Sequence, residues 1–308
     1  MESDKIETTI FFGNGVNLLS KEGKSWDAIL RQISKRQVLP PIGSNTLKYE
    51  YIVLPQERYT EIDYGFKITE NDIPEPTEII DTEQNIKEVL ASELSGSKAS
   101  FFYNKLVELK ADNYITTNYE LFLNNLLKER GFKQIGNGHF EYLLKPILTL
   151  EKGYDQVRLW NIHGNVYIPE TMMFGLSDYC KYVIEIEKKI QDIENGSMNG
   201  NEIYWPYVML HSDVHMFGFG LGYEEIDIWH FLTARKRLIR KNLITKNHIV
   251  YYTILDNSYD LGKMKMLEAL DVDVVPINFD WSENAYEKAY NEIYKIIREQ
   301  KVINNEND

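Results

Sequence analysis

The sequence predicts a doubly wound α/β fold built on a mainly parallel, six-stranded, Rossmann-like sheet. Short apolar runs rich in β-branched and aromatic residues recur along the chain, helix-period stretches separate them, and glycine or small polar residues stand where several runs stop. The expected strands are Thr8–Phe12, Asn113–Thr116, Val157–Ile162, His215–Phe219, Ile249–Leu255 and Val272–Ile277. Helical periodicity falls at Phe101–Lys110, Tyr119–Arg130, Asp178–Glu194, Glu224–Lys241, Leu261–Leu270 and Ser282–Gln300. Such alternation places helices over both faces of parallel strands.

Two intervals interrupt the alternation. Lys35–Ser100 holds most of the prolines without a clear period, and Pro169–Pro206 carries an NGSMNGN loop after its helix. Both are expected to leave the sheet as insertions, forming either a lid or small lobe over the strand ends or mere surface elaboration. Residues 1–303 read as one domain and 304–308 as a disordered polar tail.

A chain of 308 residues with 43% hydrophobic content can bury a large core. Its 47 acidic and 34 basic residues give a net charge of -13, which opposes a phosphate backbone and disfavours direct nucleic-acid binding. The single cysteine, Cys180, excludes an internal disulfide and a four-cysteine zinc cluster and fits a reducing cytoplasm. The first residues lack the features of a signal peptide, and no run is apolar for long enough to span a bilayer. The expected setting is cytoplasmic, with no membrane partner.

In the first strand end, Gly13-Asn14-Gly15 precedes residues able to start a helix. Glycine permits close approach to a phosphate and positive φ, although a tight turn between strand and helix also needs glycine. Leu18 stands where GxGxxG would place its third glycine, which counts against an ordinary dehydrogenase. The chain also lacks GxxxxGK[ST] and GxSxG, so it has neither the P-loop nor the serine-hydrolase signature.

In TTNYE, Thr116, Thr117 and Asn118 end a strand. Asn118 can donate and accept hydrogen bonds together, and Thr117 or Asn118 could equally cap the following helix. In NIHGNV, His163 ends another strand, with Gly164 allowing a sharp turn, and imidazole suits proton transfer near neutral pH. His211 and His215 have HxxxH spacing but no expected helix or carboxylates around them, so they read as packing or strand-edge residues.

Taken in order, GNGVN, TTNYE, NIHGNV and GFGLGYEEID resemble the SIR2-like (sirtuin-related) family, whose corresponding segments surround NAD. The resemblance runs from about Ile10 to Ile277, with unmatched stretches at the two insertions. It implies that Asn118 holds the nicotinamide ribose and the attacking water or acceptor, and that His163 is the general base. It also implies that Gly13, Asn14, Gly15, Asn17 and Thr117 line the pyrophosphate and nicotinamide-ribose region. Gly220, Gly222 and Asp227 would support the adenosine half, and Asp256 and Asn257 the adenine ribose.

Protein-deacylating sirtuins usually carry a zinc ribbon that Cys180 alone cannot build, and TTN replaces their usual TQN. That form resembles the SIR2-like effectors of bacterial antiphage defence, which hydrolyse NAD+ to nicotinamide and ADP-ribose. The resemblance thus implies an abortive-infection NADase that needs no metal. No separate sensor domain is expected after the final helix, so restraint is expected from a homo-oligomer or a separately encoded partner such as an ATPase, nuclease or sensor. An NAD-dependent deacylase and a non-catalytic NAD or ADP-ribose sensor are the alternatives.

Overall fold

The computed structural model describes residues 6–34, 39, 43–53, 78–197 and 203–307. Its strands are β1 (Thr8–Phe12), β2 (Asn113–Thr116), β3 (Lys133–Ile135), β4 (Leu148–Lys152), β5 (Asp155–Asn161), β6 (Asp213–Phe217), β7 (Ile249–Ile254) and β8 (Asp273–Ile277). They form one eight-stranded sheet ordered β3-β4-β5-β2-β1-β6-β7-β8. The six expected runs become its parallel part. The sheet has eight strands rather than six because an antiparallel pair, β3 and β4, extends the β5 edge. Gly153, at φ +65°, and Tyr154 connect β4 to β5 by a two-residue hairpin turn.

Alternate residues of the central strands feed opposite layers, as the pleat requires. Ile10 and Phe12 pack with helices α4 (Phe102–Glu108), α5 (Phe122–Glu129) and α10 (Ala285–Asn307). Phe11 packs with α6 (Leu176–Glu194), α7 (Trp205–His211), α8 (Ile226–Arg240) and α9 (Leu261–Ala269). Helices on both faces explain why every residue of β2 is buried.

The expected insertion 169–206 turns out to contain part of this layer. Tyr179, Tyr182, Ile186 and Ile190 of α6 join the same core as Trp160 and Met216, so this stretch is the covered crossover from β5 to β6. Residues 198–201 of its polar loop lie outside the described residues.

The described parts of 35–100 contain α2 (Asn45–Val53) and α3 (Glu78–Ser95), which pack with the preceding α1 (Trp26–Ile33). Their own small core includes Leu30, Tyr49 and Leu90 and rests on Tyr119, Met172 and Phe174. Ser25 caps α1 by accepting from the Ala28 amide at 3.2 Å.

At the other end, α10 carries helical backbone to Asn307, through the polar tail expected to be disordered. Extending an existing helix adds a hydrogen bond for each residue ordered, without a new nucleation cost. Among the described residues no helix is long and apolar enough to cross a membrane.

Candidate functional site

The strand register brings the sequence-predicted segments to one edge. Phe12 pairs with Thr116 and Phe217, and Thr116 with Asn161, so β1, β2, β5 and β6 end level with one another. The chain winds outward from β1 through β2 to β5, then resumes at β6 on the other side of β1. That reversal is a topological switch point, where open α/β sheets form their ligand crevice. A cleft of about 500 Å³ opens there, with walls from the loops after β1, β2, β5, β6 and β7, from α1 and α2, and from α10.

Gly13 and Gly15 are required by a backbone crossing. The Gly13 amide donates to Phe217 O at 3.1 Å and the Gly15 amide to Gly218 O at 2.6 Å. A Cβ on Gly13 would overlap Phe219, and one on Gly15 would overlap the Tyr290 hydroxyl and lie 2.8 Å from Gly218 O. Neither glycine has positive φ. The amides expected to face a phosphate are therefore engaged by the last residue of β6 and the residue after it, and close packing is the reason for glycine there.

Asn118 does not cap the next helix. α5 starts at Phe122 with Leu121 at its N-cap and no side-chain cap. Asn118 is 1% exposed and stands behind the cleft lining, its Nδ2 donating to the Tyr103 hydroxyl at 3.4 Å. That hydroxyl in turn donates to Asn17 Oδ1 at 2.9 Å, and Asn17 Nδ2 bonds both Glu120 Oε1 and Asn14 Oδ1. Burial raises the Glu120 carboxyl pKa against the hydrogen bonds from Asn17 and Tyr103. Asn118 Oδ1 has no hydrogen-bond partner among the described residues, so the amide keeps an acceptor in reserve.

Backbone contacts join this network to the histidine segment. Asn161 Nδ2 donates to Asn118 O at 2.7 Å, and the Val166 amide to Tyr119 O at 3.0 Å. His163 is 3% exposed, lines the cleft, and has Nε2 2.8 Å from Asp227 Oδ2. Burial opposes the imidazolium, but the Asp227 charge and hydrogen bond, with help from Glu225, outweigh it and raise the His163 pKa. With Nε2 facing a carboxylate, the neutral ring carries its proton there and leaves Nδ1 as the acceptor.

Asp227, expected with the adenosine half, lies instead against His163. The first turn of α8 buries its carboxylate completely against His163, and Asp227 is not part of the cleft lining. Of the other expected residues, Asn14, Gly15, Thr117, Gly220, Gly222 and Asp256 do line the cleft. Asp256 accepts from the Tyr286 hydroxyl at 2.6 Å and from the Ser258 amide at 2.8 Å. Although burial acts against it, these bonds hold its carboxyl below the usual range. Asn257 is exposed and lies outside the lining. His211 and His215 are structural: His211 Nδ1 bonds Tyr207 O, and His215, buried in central β6, bonds the Tyr252 hydroxyl.

Three residues of the site carried no signal of their own: Tyr103, Glu120 and Glu225. Glu225 lines the cleft, and its Oε2 accepts from the Gly222 amide at 2.6 Å. Burial, with Asp227 nearby, pushes its pKa up to about 7 despite the opposing charge of His163. A carboxyl with a raised folded-state pKa makes folding less favourable as pH climbs from the unfolded value to the folded one. Glu225→Gln should therefore match wild type near pH 4 and gain on the order of 1–3 kcal/mol above pH 7. Denaturant melts at the two pH values check this; an equal gap at both would refute it.

No family model matches the chain, and no curated protein matches it.

Proposed function

We propose that this protein is an NAD+ glycohydrolase that releases nicotinamide and leaves ADP-ribose, held in check by assembly with itself or a partner and serving bacterial antiviral defence. The observation that carries the chemistry is the His163–Asp227 pair on a cleft at the switch point of the sheet. Asp227 orients the imidazole and stabilises its protonated form, so His163 can take a proton from water or from a ribose hydroxyl. The resemblance gives Asn118 the ribose and the attacking water; its side chain stands just behind the cleft lining, within the hydrogen-bond network that includes Asn17 and Glu120. The pyridinium is a good leaving group, so positioning and shielding supply most of the catalysis.

Ring contacts among Trp26, Tyr119 and Phe174, centred 5.1–5.9 Å apart, pack the helical-lobe side of the cleft. The defence role and the assembly rest on the sequence resemblance alone.

The test is nicotinamide release from NAD+, without peptide, by wild type, Asn118→Ala and His163→Ala over a range of protein concentrations. Release by wild type alone, steepening with concentration, is the expected result. Release that requires an acylated peptide would replace hydrolysis by deacylation. NAD+ binding with no release at any concentration would overturn the hydrolase reading in favour of a sensor.

A further inference from the structure

Resting on the dinucleotide reading above, we propose that Lys263 anchors the pyrophosphate. Gly13 and Gly15 cannot offer their amides, because they donate to Phe217 at the end of β6 and to Gly218 just after it. The described cleft lining carries the carboxylates Asp27, Glu224, Glu225 and Asp256. Only Asp27 among these is paired with cations, namely Arg31 and Lys48. A doubly charged pyrophosphate entering such a cleft is repelled unless a cation meets it. Lys263 is the one lysine or arginine among the described lining residues.

Its geometry suits an ionic anchor. Nζ lies 2.6 Å from Gly220 O; among the described residues it forms no direct ion pair, although, beyond the hydrogen bond from the Lys263 amide, its charge helps to lower the pKa of the nearby Asp260 carboxyl. Three donors on an ammonium leave two for an anion while that carbonyl contact persists. Gly220 supplies the room. Its φ is not positive, and a Cβ built there meets nothing within 4 Å, so among the described residues nothing requires glycine at this position.

Calorimetric titrations of wild type, Lys263→Met and Lys263→Arg with ADP-ribose, NAD+ and adenosine test the assignment. The Lys263 backbone amide bonds the Asp260 cap, a contact that any side chain keeps, so the fold of α9 survives both changes. Lys263→Met should weaken ADP-ribose and NAD+ about 10-fold or more, the loss of one charge-assisted hydrogen bond. Adenosine binding should stay unchanged, and Lys263→Arg should retain most of the affinity. The KM for NAD+ should rise in Lys263→Met, with kcat nearly constant. Wild-type affinity of Lys263→Met for ADP-ribose would overturn this assignment while leaving the dinucleotide reading intact. A wild type that binds neither ADP-ribose nor NAD+ would overturn both.

Discussion

Asp227→Asn is expected to lower the rate of nicotinamide release by about 10³–10⁴-fold, the scale on which a dyad loses activity when its carboxylate becomes an amide. The carboxylate is fully buried and contacts His163 Nε2 at 2.8 Å. An amide can present its NH2 group to that nitrogen and trap the other tautomer, and it withdraws the charge that supports the imidazolium. The pH dependence carries a sign. The His163 pKa is raised by Asp227 against burial, so wild-type rate should climb with pH as the base loses its proton above its ordinary range. In Asp227→Asn the residual rate should climb at lower pH.

Stability moves in the corresponding direction. A histidine whose folded pKa lies above its unfolded one contributes stability that is complete below the unfolded value and disappears as pH passes the folded one. The melting-temperature gap between wild type and Asp227→Asn should therefore be wider at pH 5.5 than at pH 8.5. A pH-rate profile with an unshifted limb, or a variant retaining a tenth of the wild-type rate, would remove Asp227 from the mechanism.

Gly164→Ala should be the most damaging single methyl in the site. Gly164 adopts φ +100°, and a Cβ there would overlap the Thr171 carbonyl, which is backbone and has no rotamer to yield. Left-handed strain and overpacking together cost roughly 3–5 kcal/mol. The displacement would reach the His163 imidazole, because the His163 carbonyl accepts from the Met173 amide at 2.8 Å in the same crossing. Denaturant unfolding should show the loss, and nicotinamide release should fall with it. Gly220→Ala is the control: no atom stands within 4 Å of its Cβ, so stability should change by less than about 0.5 kcal/mol. Equal stabilities for the two variants would contradict this account of the turn at Gly164.

Local pattern carried a good deal of the architecture. The runs of β1, β2 and β7 match their strands closely because both faces of each are covered, so β-branched and aromatic residues stand at successive positions rather than alternating with charged ones. β3 escaped because it has three residues, two of them exposed. β4 was more legible: Leu148 and Leu150 alternate with polar residues and lead into Gly153-Tyr154, a hairpin signal. The α6 segment reads as an excursion because its interval interrupts the regular alternation of strand and helix, and only packing on Trp160 and Met216 reveals it as a sheet cover.

Where the parallel strands run, and that small and polar residues stand at their ends, is legible in local pattern, because burial along one segment leaves a periodic trace in that segment. Tertiary structure alone decided which groups meet at that edge. His163 and Asp227 lie 64 positions apart, and Gly15 donates to Gly218 across the switch point. Lys263 reaches Gly220 from the helix after the neighbouring strand. Such pairings depend on strand order and register, which place distant loops side by side, and no local period encodes them.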